Sequence, residues 1–285
     1  MLALRRLDVL VNDVFAVTAE EGRFALKLYH QARTPAAVGW ELDLVDHLYG
    51  GGAPVVRPVP GRTGRLQRLR VAGRERIGAL FTWAAGSKPG PGPEVYRRLG
   101  AAAGRIHAAA DGFAPSPHRE TYDLALLIDE QLDRMRPMLQ GAGCWSATVA
   151  LGERLRGRLA DPALDHGICH MDLTLDNVHL APDGALTVFD FDSAGPCWRA
   201  AEPWGVLRYS APGFRSWLDG YRTMRPFGAH DEAAVAVFGI VGDLRGAAWK
   251  LGVAASSRGT PLLTPAALPA VVEGWLDWEA TYLTG

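Results

Sequence analysis

His170-Met171-Asp172-Leu173-Thr174-Leu175-Asp176-Asn177, continued by Val178–Leu180, a Pro182-Asp183-Gly184 turn and Val188-Phe189-Asp190-Phe191-Asp192, decides the reading of this 285-residue chain. The skeleton is His-x-Asp-x4-Asn, then an Asp at the end of the following strand. Apolar residues between Ile168 and Phe191 come in short strand-length runs, and Pro-Asp-Gly makes a tight turn. Asp172 and Asn177 therefore share one loop, and a short hairpin returns Asp190 to the same mouth. Phosphoryl transfer asks for this set. One carboxylate accepts or orients the attacking hydroxyl, while an amide and a second carboxylate hold Mg²⁺ against a nucleoside triphosphate. Few, hard oxygen ligands suit a magnesium ion that keeps water and phosphate in its shell. Taken alone the motif is weak, because loop polar residues also cap turns.

Working toward the N-terminus strengthens it. Lys27 lies inside the apolar strand Phe24-Ala25-Leu26-Lys27-Leu28-Tyr29, and it is one of three lysines (with Lys88 and Lys250) beside 27 arginines. A buried Lys without an anion is costly. Phosphate supplies one anion, and Glu41, 14 residues later on an expected helix, supplies another. The lysine-poor, arginine-rich skew itself is ascribed to GC-rich coding.

The surrounding chain reads as two regions. Strands are expected through Val9–Val17, Phe24–Tyr29, Val55–Val59, Leu66–Val71 and Ile77–Trp83, with one helix over Ala36–Leu48 stopped by Gly50-Gly51-Gly52. No Gly-Lys-Ser/Thr follows those glycines, so they are not a P-loop. The run Gly86-Ser87-Lys88-Pro89-Gly90-Pro91-Gly92-Pro93 cannot continue a helix or a central strand. Beyond it, helical spacing marks Leu99–His107, Tyr122–Leu139, Asp231–Val253 and Pro265–Leu283. The expected division is residues 1–83, strand-rich, and residues 84–285, mainly helical.

Composition bounds the function. Hydrophobic residues make up 48% and charged residues 21%, with a formal net charge of -1, so a soluble core is affordable and no nucleic-acid partner is indicated. Cys144, Cys169 and Cys197 fit neither a disulfide framework nor a zinc pattern and are read as reduced thiols of a cytoplasmic protein. Met1–Leu10, with Arg5, Arg6 and Asp8, is not read as a signal peptide. No apolar run is long enough to span a membrane. Oligomeric state is left open.

These motifs resemble the aminoglycoside phosphotransferase and choline kinase-like family, relatives of protein kinases. The resemblance runs through Asn12-Asp13-Val14-Phe15-Ala16-Val17, Phe24–Lys27, Glu41-Leu42, a hinge-like Leu80–Gly86, Leu99-Gly100, Arg105-Ile106-His107, and the two motifs above. It implies an α+β, bilobal protein-kinase-like fold with a strand-rich N-terminal lobe and a mainly helical C-terminal lobe. It implies Asp172 as catalytic base, Asn177 and Asp190 as Mg²⁺ ligands, Lys27 on the α/β-phosphates oriented by Glu41, and a hinge including Phe81 and Trp83 against the base of ATP or GTP. His170 is implied as a support of the loop. The acceptor is a small-molecule hydroxyl. A cationic antibiotic such as an aminoglycoside leads, which would make the chain a resistance kinase; an amino alcohol, a homoserine-like compound, a sugar or a nucleoside is the alternative. Two departures stand out. Met171 replaces the usual Gly, and Glu202 stands near a usual Asp. Asp192 is open between a partner of the metal site and a surface carboxylate.

Three other readings compete with this one. A zinc or iron cluster of His166, His170, Asp172 and His179 ignores Lys27. A nucleotide-binding pseudokinase regulator predicts the loss of Lys27, Asp172, Asn177 or Asp190, and all four are present. The tryptophans of the second half are read mainly as core. Finally, Glu279 falls on the apolar face of the last helix, with Leu268, Val272 and Trp275, while Glu273 and Asp277 point away. A lone carboxylate there is expensive. It is expected either to pair with an arginine or, by the resemblance, to bind a substrate ammonium.

Overall fold

The computed structural model describes residues 3–9, 11–62, 64–114, 119–253 and 262–283. Met1, Leu2 and Leu10 of the N-terminal stretch, and Thr63 of the Gly61–Gly64 turn, lie outside them. The chain divides into two compact units: Met1–Arg119 with His170–Ala194 and Ser216–Arg225, and Glu120–Cys169 with Gly195–Arg215 and Pro226–Gly285. The compositional break at Gly86–Pro93 falls inside the first unit.

The first unit is built on an antiparallel six-stranded sheet. Its strands are β1 (Ala3–Val9), β2 (Asp13–Ala19), β3 (Gly22–Leu28), β4 (Pro58–Val59), β5 (Leu66–Val71) and β6 (Arg74–Thr82). The order is β1-β2-β3-β6-β4, with β5 also pairing β6. β3 is central, so Lys27 stands opposite Val14 on one side and Ala79 on the other. Helix α1 (Pro35–Gly50) starts where Thr34 accepts the Ala37 N–H at 3.2 Å and Pro35 occupies its first turn. It ends at the expected glycines, where Gly52 takes φ +76°. Its buried face carries Val38, Trp40, Leu42, Leu44 and Val45, and Glu41 lies among them.

Two expectations needed adjustment. β4 covers only Pro58–Val59, because Val55 and Val56 instead join the hairpin of β8 (Val178–Leu180) and β9 (Leu186–Val188), with Val56 N–H donating to Val188 O at 3.0 Å. The last of the sheet's strands also begins earlier than Ile77, since Arg74–Arg76 still pair with β5. The polar tip of that hairpin hid its length, because exposed arginines break the apolar pattern. After the hinge, Ser87 pairs with Leu180 in both directions. Gly86 is required there. It takes φ +85°, and a Cβ would come within 2.1 Å of Leu180 O. Helix α2 (Pro93–Ala110) completes this unit together with the Ser216–Arg222 part of α6 (Ala211–Arg222).

The second unit is mainly helical. The Tyr122–Leu139 expectation resolves into a π-helical turn, Ala125–Asp129, followed by α3 (Glu130–Gly141). Helix α4 (Trp145–Leu159) was not anticipated, since its low-contrast Ala, Gly and Arg content carries little amphipathic signal. The long helix α7 (Ala229–Val253) packs on α3, α4, α5 (Trp204–Tyr209) and α8 (Leu268–Tyr282). Its apolar residues surround it, as a central helix requires. Strands β7 (His166–Cys169) and β10 (Gly195–Trp198) form an antiparallel pair. All three cysteines are free, and burial pushes the Cys197 thiol up to about 12. Among the described residues no helix is long and apolar enough to cross a membrane.

Candidate active site

Strand β3 carries the Lys27 side chain into the first unit's interior, where it is 6% exposed. Its ammonium meets three carboxylates: Glu41 Oε1 at 3.1 Å, Asp190 Oδ1 at 2.5 Å and Asp192 Oδ1 at 3.0 Å. Burial opposes the ammonium charge, but these anions overcome it and hold the Lys27 pKa well above the usual lysine range. Burial raises the Glu41 carboxyl, with Lys27 pulling the other way. The Tyr29 hydroxyl beside them is pushed well up, chiefly by burial.

Asp190 and Asp192 share this site unequally. Burial, and then the neighbouring Asp192, push Asp190 up to about 7 against the pull of Lys27. Its side chain is still 40% exposed to the cleft, so solvent there moderates the rise. Asp192 goes the other way. Burial would raise it, but Lys27, Asn12 and Arg33 hold it well below the ordinary range. Asn12 Nδ2 donates to Asp192 Oδ2 at 2.7 Å. Arg33 and Arg119 both donate to the Asp192 backbone carbonyl, at 2.8 and 2.5 Å. Asp192 is thus a buried anchor of the Lys27 site, not a surface carboxylate.

The loop before Asn177 is held from several sides. Asn177 Nδ2 donates to the Asp172 carbonyl at 2.8 Å and to its carboxylate Oδ2 at 2.9 Å. Phe189 N–H donates to Asn177 O at 3.0 Å, which ties the loop to the strand leading into Asp190. His170 is fully buried, with Nε2 3.0 Å from Phe189 O and its ring 4.4 Å from that of Phe191. Both bends of the site are left-handed at residues with side chains. Met171 has φ +65° and Asp190 φ +69°. Such backbone costs energy and concentrates at functional sites. Met171, where the resemblance expects Gly, thus occupies a conformation that glycine adopts without strain.

One cleft of about 440 Å³ is lined by Lys27, Glu41, Phe81, Trp83, Asn177 and Asp190, among others. A pocket of this size suits a nucleotide-sized ligand. Phe81 sits on β6 opposite Ala25, and the Arg23 guanidinium stacks 4.0 Å from the Trp83 ring centroid. The backbone N–H group of Ala85 makes no backbone hydrogen bond among the described residues. Lys88, after the hinge, pairs with Asp176 at 3.2 Å on the same cleft.

The oxygen donors fit a hard cation. Asn177 spends its NH₂ on Asp172, which leaves its carbonyl oxygen to ligate, and the partly exposed Asp190 carboxylate lines the same cleft. The transition-metal cluster does not form: among the described residues, the ligand atoms of His166, His170, Asp172 and His179 do not converge within reach of one ion.

Glu279 belongs to the second unit. Arg154 on α4 takes both of its oxygens, at 2.7 and 2.6 Å, and lowers its pKa. Glu202 is buried in the same unit, where its charge adds to the burial that raises the Cys169 thiol. Sequence reasoning missed Asn12, Arg33 and Arg119 as contributors and named His179 only as a ligand of the rejected metal cluster. Asn12 lay within a quoted motif, but no local pattern marks the two arginines.

The cleft's lysine, carboxylates and amide are the residue types that phosphoryl transfer uses. The chain belongs to the Phosphotransferase enzyme family, which it matches over residues 5–234, and it is a small-molecule kinase of that family. A similar protein is an uncharacterized protein of Deinococcus radiodurans, 35% identical over 243 residues that cover 80% of this chain and 71% of the relative. The homoserine kinase of Acidiphilium cryptum is 31% identical over 257 residues, 83% of this chain and 76% of that enzyme. In fold the chain is similar to an amicoumacin kinase solved with AMP-PNP, Ca²⁺ and Ami, with a TM-score of 0.76 and 19% identity over 98% of this chain and 88% of that one.

Proposed function

We propose that this protein transfers the γ-phosphoryl group of ATP or GTP, with Mg²⁺, to a hydroxyl of a small molecule in the cytoplasm, without nucleic-acid or membrane partners. The observation that carries the reading is the Lys27 ammonium held among Glu41, Asp190 and Asp192 in the cleft that Asn177 also lines. In this reading residues 1–83 cover the nucleotide, and residues 84–285 supply the catalytic loop and the acceptor site. The hinge around Phe81 and Trp83 holds the base, Lys27 holds the α/β-phosphates, and Glu41 keeps Lys27 aimed. Asn177 and Asp190 hold Mg²⁺, which neutralises charge on the phosphates. The Asp172 carboxylate orients the acceptor hydroxyl and takes its proton. The acceptor oxygen bonds to the γ-phosphorus as the β,γ-bridging bond breaks. Asn177 fixes the Asp172 rotamer through the 2.9 Å bond.

For the acceptor, a hydroxyl on a small amino-bearing metabolite is favoured over a cationic antibiotic. One observation supports that choice: the homoserine kinase likeness spans 83% of this chain at 31% identity.

The test is calorimetry with ATP and GTP, with and without Mg²⁺, followed by mass spectrometry on a panel of hydroxy amino acids, amino alcohols, sugars, nucleosides and aminoglycosides. Mg²⁺-dependent nucleotide binding and a gain of one phosphoryl group on an amino-bearing metabolite are expected. Absence of Mg²⁺-dependent binding with either nucleotide refutes the kinase reading. Transfer only to aminoglycosides restores the antibiotic.

A further inference from the structure

His179, on β8, lines the same cleft as Lys27, Asn177 and Asp190. Its Nδ1 lies 2.9 Å from the backbone carbonyl oxygen of Ala84. A carbonyl can only accept, so Nδ1 carries a proton, and in the neutral form of an imidazole so held the other nitrogen, Nε2, is an acceptor. Nε2 bonds to nothing among the described residues and is not sealed from solvent. The ring is held a second time by Phe189, edge-on, with centroids 5.0 Å apart at 81°. The cleft therefore contains one acceptor of fixed tautomer and fixed direction.

Its place suggests what it meets. Ala84 lies in the hinge, two residues past Thr82, and Asn177 lies two residues before His179. The imidazole thus stands between the segment that takes the base and the residue assigned to the phosphate end. The hydrogen-bond donors a nucleoside presents between those points are the exocyclic amine of the base and the ribose hydroxyls. We propose that His179 Nε2 accepts a hydrogen bond from one of these donors and is a specificity-determining residue for the nucleotide. The proposal rests on the phosphotransferase reading of the cleft. Ala84 and His179 act as one unit, because the hinge carbonyl sets the tautomer that makes Nε2 an acceptor.

The experiment measures Mg²⁺-dependent binding by calorimetry for ATP, purine riboside triphosphate (no exocyclic amine), 2′-deoxy-ATP and 3′-deoxy-ATP. Wild-type protein is compared with His179→Phe, which keeps an aromatic ring against Phe189. One neutral hydrogen bond corresponds to about a three- to tenfold difference in Kd. Wild-type protein should bind one of the donor-deleted nucleotides more weakly by about that factor, and His179→Phe should bind that analogue and ATP alike. The analogue that shows the effect identifies amine or hydroxyl. Equal binding of all four nucleotides by wild-type protein overturns the proposal. So does a discrimination that persists unchanged in His179→Phe, which would make the ring a hinge support only. A readout on wild-type protein alone covers a variant that fails to fold. Imidazole ¹⁵N resonances should report the Nδ1–H tautomer, with the Nε2 signal moving on addition of Mg²⁺ and AMP-PNP; an unmoved Nε2 signal overturns the proposal. Failure of wild-type protein to bind MgATP at all is a separate result, and it removes the reading of the cleft together with this one.

Discussion

Replacing Lys27 by methionine keeps the side-chain length but strands Glu41, Asp190 and Asp192 around a missing cation. The distances of 3.1, 2.5 and 3.0 Å make Lys27 the shared counter-ion of all three. Removing one partner of a buried ion pair costs about 3–5 kcal/mol. Glu41 and Asp192 are nearly sealed, at 3% and 11% side-chain exposure, so the full range applies to them. Asp190, at 40%, is discounted for solvent screening. The expected loss for Lys27→Met in metal-free protein is therefore about 3–5 kcal/mol near pH 8. Without the ammonium, Glu41 and Asp190, already raised by burial, rise further above their unfolded values, while Asn12 and Arg33 still act on Asp192. The folded variant then binds more protons than the unfolded chain, so its stability falls as pH rises and recovers as pH drops. The deficit against wild type should accordingly shrink between about pH 8 and about pH 5.5. Urea unfolding followed by tryptophan fluorescence at the two pH values measures it. A deficit under about 1 kcal/mol, or one independent of pH, would refute the shared-counter-ion argument.

Other perturbations separate the remaining roles. Asp172→Ala should lower kcat by orders of magnitude with nucleotide affinity near normal, whereas Asn177→Ala should shift the Mg²⁺ dependence; steady-state kinetics against calorimetry decides, and equal loss of nucleotide binding in both contradicts the division. Met171→Gly removes a side chain from φ +65° and should raise stability by about 1 kcal/mol in thermal melts; no gain means the Met171 side chain contributes packing that offsets its strain. Glu279→Gln should lower stability by about 1 kcal/mol and leave the acceptor KM unchanged, because Arg154 is half exposed and the pair is partly screened. As the folded Glu279 pKa is lowered, that contribution is present above the ordinary glutamate pKa and is lost as pH falls through the folded value; a tenfold rise in acceptor KM with an unmoved melt would reverse the assignment.

Local sequence was informative where the chemistry is local. The His170–Asn177 loop, the return of Asp190 on a hairpin and the apolar strand around Lys27 each occupy a few residues, so spacing and alternation expose them. The helix that bears Glu41 was legible for the same reason, with the glycines marking its end. What tertiary structure alone decided are pairings between distant segments. Asp192 meets Asn12, 180 residues away, and that contact turned an ambiguous acid into the anchor of Lys27. Arg154 meets Glu279 across 125 residues, which showed how the carboxylate on an apolar helix face is neutralised. His179 meets Ala84 across 95 residues, and only that contact sets its tautomer. A sequence pattern reports which face of an element turns inward; which charge or carbonyl waits there depends on how separate elements pack.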